Sequence, residues 1–236
     1  MSGRSRYVSG QKGVRGEPLF GYGDTVKFEL ILQGNDKPSI LTGTVEIIDP
    51  RGSLGMNQPS YDVRAKINGE YHLIKHIAES DFLEHIPLEP ILRTSLREEN
   101  GRTVTELRLF STDEDAVAFE IWPVTGDIER WETVKRLDSL AVFETDFRRL
   151  LTGFFSRLYP LLEPVIGEPD KFSFIEWDRP NLIGEKDWSR LIRLFELNIP
   201  RMSEDIRGWF ELLLEFCRSC LDVSSIVCVE GKYDPH

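Results

Sequence analysis

The sequence predicts an α+β fold, in which a small β-barrel precedes a domain of antiparallel strands and two main amphipathic helices. Short alternating apolar runs, broken by turn residues, fill the chain from Phe20 to Ile86 and return after Thr103. From Phe143 onward, apolar residues recur at helical spacing instead. The chain has 236 residues, enough for one large domain or two modest ones. The predicted divisions are a flexible tail, a barrel and an α+β domain, at residues 1–18, 19–90 and 101–236.

The predicted barrel consists of short strands joined by turns. Apolar and polar residues alternate at residues 25–32, 41–48, 61–67 and 71–77. Asn68-Gly69, between the last two of these runs, is the strongest short signal of a β-hairpin. Four or five such strands can hide an apolar face only if the sheet curls on itself, so we expect a small SH3-like barrel.

Four sequence strings in this region carry a resemblance. They are Tyr-Gly-Asp-Thr-Val-Lys-Phe at 22–28, Gly-Thr-Val-Glu-Ile-Ile-Asp at 43–49, Pro-Ser-Tyr-Asp-Val at 59–63 and His-Leu-Ile-Lys-His-Ile-Ala-Glu-Ser-Asp at 72–81. The strings resemble a family of short, uncharacterised bacterial SH3-like proteins, although Ile74 stands where the family pattern favours tyrosine. The resemblance implies a barrel and a bacterial or phage origin, and it implies no activity and no site.

Pro87, Pro90 and the polar run at residues 97–102 mark the predicted boundary between the two regions. Alternating or β-branched runs predict strands at residues 103–110, 116–122, 131–137, 172–177, 191–199 and 226–230. Apolar residues at helical spacing predict one helix over 143–162, which Pro160 bends or ends. Ser203 is the predicted N-cap of a second helix that runs to Leu221.

The charge distribution favours some partners over others. The net charge is −11, and the excess of acids lies mainly after Pro90. An acidic surface repels nucleic acid and anionic lipid but suits a basic protein partner, while solubility alone is the alternative explanation. Because we find no apolar run of about 18 residues and no signal peptide, we expect a cytoplasmic protein without membrane insertion.

Residue patterns for metal or cofactor binding are weak. Cys217, Cys220, Cys228 and His236 could be zinc ligands, but the first two lie in an apolar helix, where such cysteines usually pack as buried thiols. His72 and His76 are predicted to share a strand, in which residues four apart are separated by about 13 Å, too far for one metal ion. We therefore expect no metal and no cofactor.

Catalysis is uncertain, and the sequence leans against it. Phosphate-loop and nucleophile-elbow patterns do not occur in the sequence. Glu120, Asp127, Glu129 and Glu144 could supply an acid–base pair for glycoside chemistry, but carboxylates are too common in this chain to single these out.

Acidic residues next to tryptophan form the candidate protein-binding set. Its members are Glu120, Trp122, Glu129, Trp131, Glu132, Glu176, Trp177, Asp178, Asp187 and Trp188. Aromatic anchors surrounded by charge are typical of protein interfaces, and an acidic patch accelerates the capture of a basic partner. The alternative is that these tryptophans are core residues at strand ends.

Three functions are compatible with these patterns. The first is a non-catalytic binding protein that neutralises a basic protein, because the second region is similar in style to the immunity proteins of bacterial toxin systems. The second is an enzyme or small-ligand binder with an acidic cleft between the two domains. The third is an oligomeric accessory or phage structural protein.

Overall fold

The computed structural model describes residues 9–10, 12–32, 37–159, 161, 175–176 and 178–232. Contacts divide the chain into an N-terminal unit, Met1–Glu89, and a C-terminal unit, Pro90–His236. Each unit has a hydrophobic core of its own. None of the helices in the described ranges is long and apolar enough to cross a membrane.

The N-terminal unit is built on one antiparallel sheet. Its strands are β1 (Thr25–Leu30), β2 (Ser39–Asp49), β3 (Ser60–Ile67), β4 (Glu70–Ala78) and β5 (Phe82–Ile86). Within the described residues, these strands lie in the order β4-β3-β2-β1-β5 and form an open sheet. The four predicted strands are confirmed, and β5 follows them after a 3-10 turn at Glu79–Asp81.

Local irregularities shape this sheet. The register between β2 and β3 shifts between Val45 and Ile47, and such bulges bend a strand and increase its twist. Asn68 and Gly69 both have positive φ, at 51° and 93°, as a two-residue hairpin requires. The predicted hairpin is therefore confirmed.

Residues 12–18, which local composition assigns to a flexible tail, are bound to the N-terminal unit. The Gly13 amide donates to the Gln58 side chain at 3.2 Å, and the Gly16 amide donates to the Pro50 carbonyl at 2.6 Å. The partners lie more than 30 residues away along the chain, so composition alone does not reveal them.

The C-terminal unit contains a mixed sheet. Its strands are β6 (Arg93–Glu99), β7 (Arg102–Arg108), β8 (Val117–Thr125), β9 (Lys135–Arg136), β10 (Ser139–Phe143), β11 (Pro180–Gly184) and β12 (Ile226–Gly231). Over the described part of the chain, the order is β11-β12-β8-β10-β7-β6, and β9 pairs with β8. Strands β7 and β10 are parallel, so the prediction of antiparallel strands is wrong for that pair. The run that forms β10 is buried throughout, as expected for an interior strand covered on both faces.

The polar run at residues 97–102, predicted as part of the boundary, forms a hairpin within the C-terminal unit, which begins at Pro90. Strand β6 pairs antiparallel with β7, and Asn100 and Gly101 form the turn with φ of 53° and 76°. Strand β6 is an exposed edge strand with several charged residues, so its sequence is as polar as a linker.

The helices differ from prediction more than the strands do. They are α1 (Glu144–Asp146), a π-helical turn (Phe147–Leu151), α2 (Thr152–Phe155), α3 (Glu185–Asn198) and α4 (Glu204–Val223). Helix α4 and strand β12 confirm their predictions. The first predicted helix is shorter than expected, because Phe143 belongs to β10 and the helix ends at Phe155, ahead of Pro160.

Two strand predictions are wrong, and one lies largely outside the described residues. Residues 191–199 lie mostly in α3, because Trp188, Leu191 and Phe195 recur at helical spacing and are buried. Residues 131–137 form a 3-10 turn, Trp131–Thr133, and the two-residue β9. Of the predicted strand at 172–177, only residues 175–176 are described, and they are not in a strand.

Helices cover one face of the C-terminal sheet and create the larger core. Phe119 and Ile121 of β8 pack there with Phe195 of α3 and Phe210 of α4. Trp122, the next residue of β8, points to the opposite face, which is called the outer face below, and packs with Leu182 and Cys228.

Candidate protein-binding surface

Three residues of the candidate set are interior residues. Trp188 is fully buried, and its indole nitrogen donates to the Cys217 carbonyl at 2.9 Å. Trp122 is fully buried on the outer face, and Glu120 is buried beside it. These side chains stabilise the C-terminal unit and do not offer a surface to a partner. For Trp122 and Trp188, this agrees with the alternative prediction that the tryptophans are core residues.

The remaining members lie apart from one another. Asp187 is half-buried at the start of α3, on the helical side of the sheet. Glu176 and Asp178 both contact the guanidinium of Arg179, which offsets their charge. Trp177 lies outside the described residues. Glu129, Trp131 and Glu132 fall within one short segment.

That segment is the Trp131 loop, defined here as residues 126–134 between β8 and β9. Gly126 has a φ of 109°, and a Cβ at this position would approach the Thr133 carbonyl oxygen to 2.7 Å, so the turn requires glycine. The Arg130 amide donates to the Asp127 carbonyl at 3.0 Å, and the Thr133 amide donates to the Arg130 carbonyl at 2.8 Å. These bonds fix the shape of the loop around its tryptophan.

Trp131 is a supported but accessible ring. Its residue surface is 44% exposed, whereas Trp122, with a ring centroid 6.3 Å away, is fully buried. The guanidinium of Arg136 lies 5.5 Å from the Trp122 centroid. Trp131 therefore presents aromatic surface to solvent while it packs against the buried Trp122.

Acidic residues without partners flank this ring. Glu129 and Glu132 are exposed, and neither forms an ion pair with a residue in the described ranges. Arg130 between them is also exposed. The Trp131 loop thus combines one aromatic anchor with two acids that have no ion partner among the described residues.

Acids elsewhere on the outer face are neutralised. Arg102 lies 2.9 Å from Glu120 and donates to Ser139 at 2.8 Å. Lys232 lies 3.1 Å from Glu230. Burial alone would raise the pKa of Glu99, but the guanidinium groups of Arg97 and Arg102 hold this pKa below its usual value. The sequence did not predict this network, because its members come from five strands and meet only through sheet register.

The cysteines are free and buried. Burial raises the pKa of Cys220 to about 12 and also raises the pKa of Cys217, so both side chains are neutral thiols at neutral pH. Among the described residues, no group of three or more His, Cys, Asp or Glu side chains could hold a metal ion. His236 lies outside those residues.

A serine–histidine contact in the N-terminal unit lacks the geometry of a catalytic triad. His76 Nδ1 lies 2.9 Å from Ser53 Oγ, and the nearest Asp62 oxygen approaches the same nitrogen at 3.8 Å. In a triad, the carboxylate and the nucleophile occupy different ring nitrogens. His72 and His76 are both exposed on β4.

Residues from the strings that resemble the bacterial family meet in a buried polar network. The Tyr61 hydroxyl donates to Glu79, and the Leu19 amide donates to the same carboxylate at 2.9 Å. Asp24 accepts from the Gly21 amide at 2.8 Å and lies 2.8 Å from the His85 ring. These contacts attach the incoming chain to the sheet, which is a structural role.

Comparison with protein-family models, with curated proteins and with solved structures finds no match.

Proposed function

We propose that the chain is a non-catalytic protein-binding protein of the immunity or antitoxin type, which binds a basic partner through the Trp131 loop. The observation that carries this proposal is a half-exposed tryptophan, supported by a buried one and flanked by Glu129 and Glu132. Tryptophan is enriched among the residues that dominate binding energy. Uncompensated acids favour a cationic partner and increase the rate of encounter.

Co-expression with the product of the adjacent reading frame tests this function. We expect that product to be basic, to be toxic when expressed alone, and to co-purify with this chain, which relieves the toxicity. Trp131→Ala should weaken binding about thirtyfold, as expected for a residue worth ~2 kcal/mol. Leu197→Ala removes another exposed apolar side chain, on α3, and should change the affinity less than about twofold.

Several outcomes contradict the proposal. They are a neighbouring product without basic character or toxicity, toxicity that co-expression does not relieve, and binding that Trp131→Ala leaves unchanged. Light scattering tests the alternative of self-association, in which the chain forms an oligomer without a partner.

The proposal also covers the fold of the N-terminal unit and the cellular compartment of the protein. An SH3-like module is supported by the strand order β4-β3-β2-β1-β5 and by the 3-10 turn that precedes β5. An experimental structure in which β1–β5 do not close into a barrel would contradict it.

A cytoplasmic location is supported by three buried free cysteines, since reducing compartments preserve thiols.

A further inference from the structure

A groove runs between helix α4 and the sheet of the C-terminal unit. It contains two adjoining cavities, of about 270 Å³ and about 370 Å³, which share Phe216 and Ser219 of α4. Leu107 and Leu140 form the sheet side of the smaller cavity. This α4 groove is defined by the two cavities together.

Apolar side chains at the groove are left exposed. Leu212 and Val223 line its helical side and are 38% and 52% exposed. Leu96 of the edge strand β6 pairs in register with Thr105, a residue of the groove, and is 73% exposed. A single exposed leucine is ordinary, but three apolar residues around one concave surface indicate a contact site.

Two acids, Glu215 and Asp138, line the groove, and further acids lie beside it on α4. Glu211, Glu215 and Asp222 lie along one side of α4, and none of them forms an ion pair with a residue that the structure describes. Asp138, at the larger cavity, accepts a hydrogen bond from the Thr103 amide at 2.9 Å but likewise has no cationic partner in the described ranges. The acids of the outer-face network are paired, whereas Glu211, Glu215, Asp222 and Asp138 have no ion partner within the part of the chain that the structure describes.

We propose that the α4 groove is a second docking site for the protein partner, and that it binds a segment in which apolar side chains are flanked by lysine or arginine. The inference rests on the proposed function only in assuming a protein partner. Apolar side chains of the segment fill the two cavities, and its cations pair with Glu215 and Asp138. Arg136 lines the larger cavity and also contacts Trp122, the residue that supports Trp131.

A random library of 12-residue peptides, selected against the full chain, tests the inference. We expect enrichment of peptides that combine Lys or Arg with Leu or Phe, and binding that weakens as salt rises. Glu215→Lys and Leu212→Ser should each weaken the selected peptides about tenfold. Glu185→Lys makes the same charge change at an exposed position on α3 and should alter binding less than twofold.

The outcomes separate this inference from the proposed function. Peptides that require the groove residues but tolerate Trp131→Ala support the groove as a distinct site. Peptides that require Trp131 and tolerate both groove variants overturn the groove and leave the proposed function standing. Failure of the natural partner to bind, with groove-dependent peptides retained, overturns the proposed function alone.

Other occupants of the groove would also overturn the inference. Enrichment of acidic peptides, or of none, contradicts the stated chemistry. A dimer that Leu212→Ser dissociates shows that a second copy fills the groove.

Discussion

One buried carboxylate of the C-terminal unit, Asp146, acts as a hydrogen-bond acceptor for the backbone. Asp146 is fully buried and accepts from the amides of Leu109 at 3.0 Å and Phe110 at 2.7 Å. Burial raises the pKa of Asp146, and the hydrogen bonds from Phe110, Leu109 and Ser111 oppose that shift. The side chain thereby connects the end of β7 to the helical turn that begins at Glu144.

Replacement of this residue gives a prediction at the residue scale. Asp146→Ala should lower the free energy of unfolding by ~3 kcal/mol, because two buried amides lose their acceptor. Urea denaturation of the full chain measures the change, with Asp222→Ala, at an exposed position, as the control. A loss below ~1 kcal/mol would show that other groups satisfy the amides.

The same variant carries a pH dependence. Because the folded pKa of Asp146 is raised above its usual 3.8, the folded chain binds this proton more tightly than the unfolded chain does. The stability advantage of the wild type over Asp146→Ala should therefore be largest below pH 3.8 and should decline as pH rises through the raised pKa. If the stability advantage of the wild type over Asp146→Ala instead grows as the pH rises over that interval, the predicted direction is wrong.

At the scale of elements, backbone conformation decides where strands join. The β6–β7 hairpin depends on Gly101, whose φ of 76° is costly for residues with a side chain. No atom lies within 4 Å of a Cβ built there, so the cost of a side chain is conformational and not steric. Gly153 in α2 also has open space around it, but it is not among the glycines with positive φ.

This difference predicts opposite effects of the same substitution. Gly101→Ala should destabilise the C-terminal unit by ~1 kcal/mol because of its left-handed backbone. Gly153→Ala should be neutral or stabilising by up to ~1 kcal/mol, since alanine favours helix. Thermal unfolding of the two variants provides the comparison, and equal effects would contradict the assigned turn.

At the scale of the whole molecule, the two units have separate cores. The N-terminal core contains Phe20, Tyr61 and Phe82, whereas Phe119, Trp188 and Phe210 belong to the core of the C-terminal unit. The Tyr61 hydroxyl donates to Glu79 inside the N-terminal unit, and burial together with that carboxylate raises the pKa of Tyr61. The effect of losing this contact should stay within its own unit.

Hydrogen exchange of the full chain tests that expectation. Tyr61→Phe should lower protection in β1–β5 by ~1–2 kcal/mol, because a buried carboxylate loses a donor, and should leave α3 and α4 unchanged. Tyr71→Phe removes the hydroxyl of an exposed tyrosine on β4 and should have little effect. Loss of protection in both units would show that they unfold together.

Local patterns in the sequence determined much of this protein. Alternation predicted the first four strands, Asn68-Gly69 predicted their hairpin, and helical spacing after Ser203 predicted α4. The acid count indicated a negatively charged molecule, and the position of Cys217 and Cys220 in an apolar helix predicted buried thiols. These features depend on residues close together in the chain, so periodicity and composition report them directly.

Only the tertiary structure decided which surfaces are covered and which charges are paired. Residues 191–199 were predicted to be a strand, but most of them lie in α3, which buries Leu191 and Phe195 and leaves Leu197 exposed. Trp122 and Trp131 look alike beside their acids, yet only Trp131 reaches solvent. Glu120 is neutralised by Arg102, while Glu215 is left without a cation among the described residues. The physical reason is that periodicity identifies an apolar face, whereas its covering element and its ion partners come from distant residues brought together by sheet register.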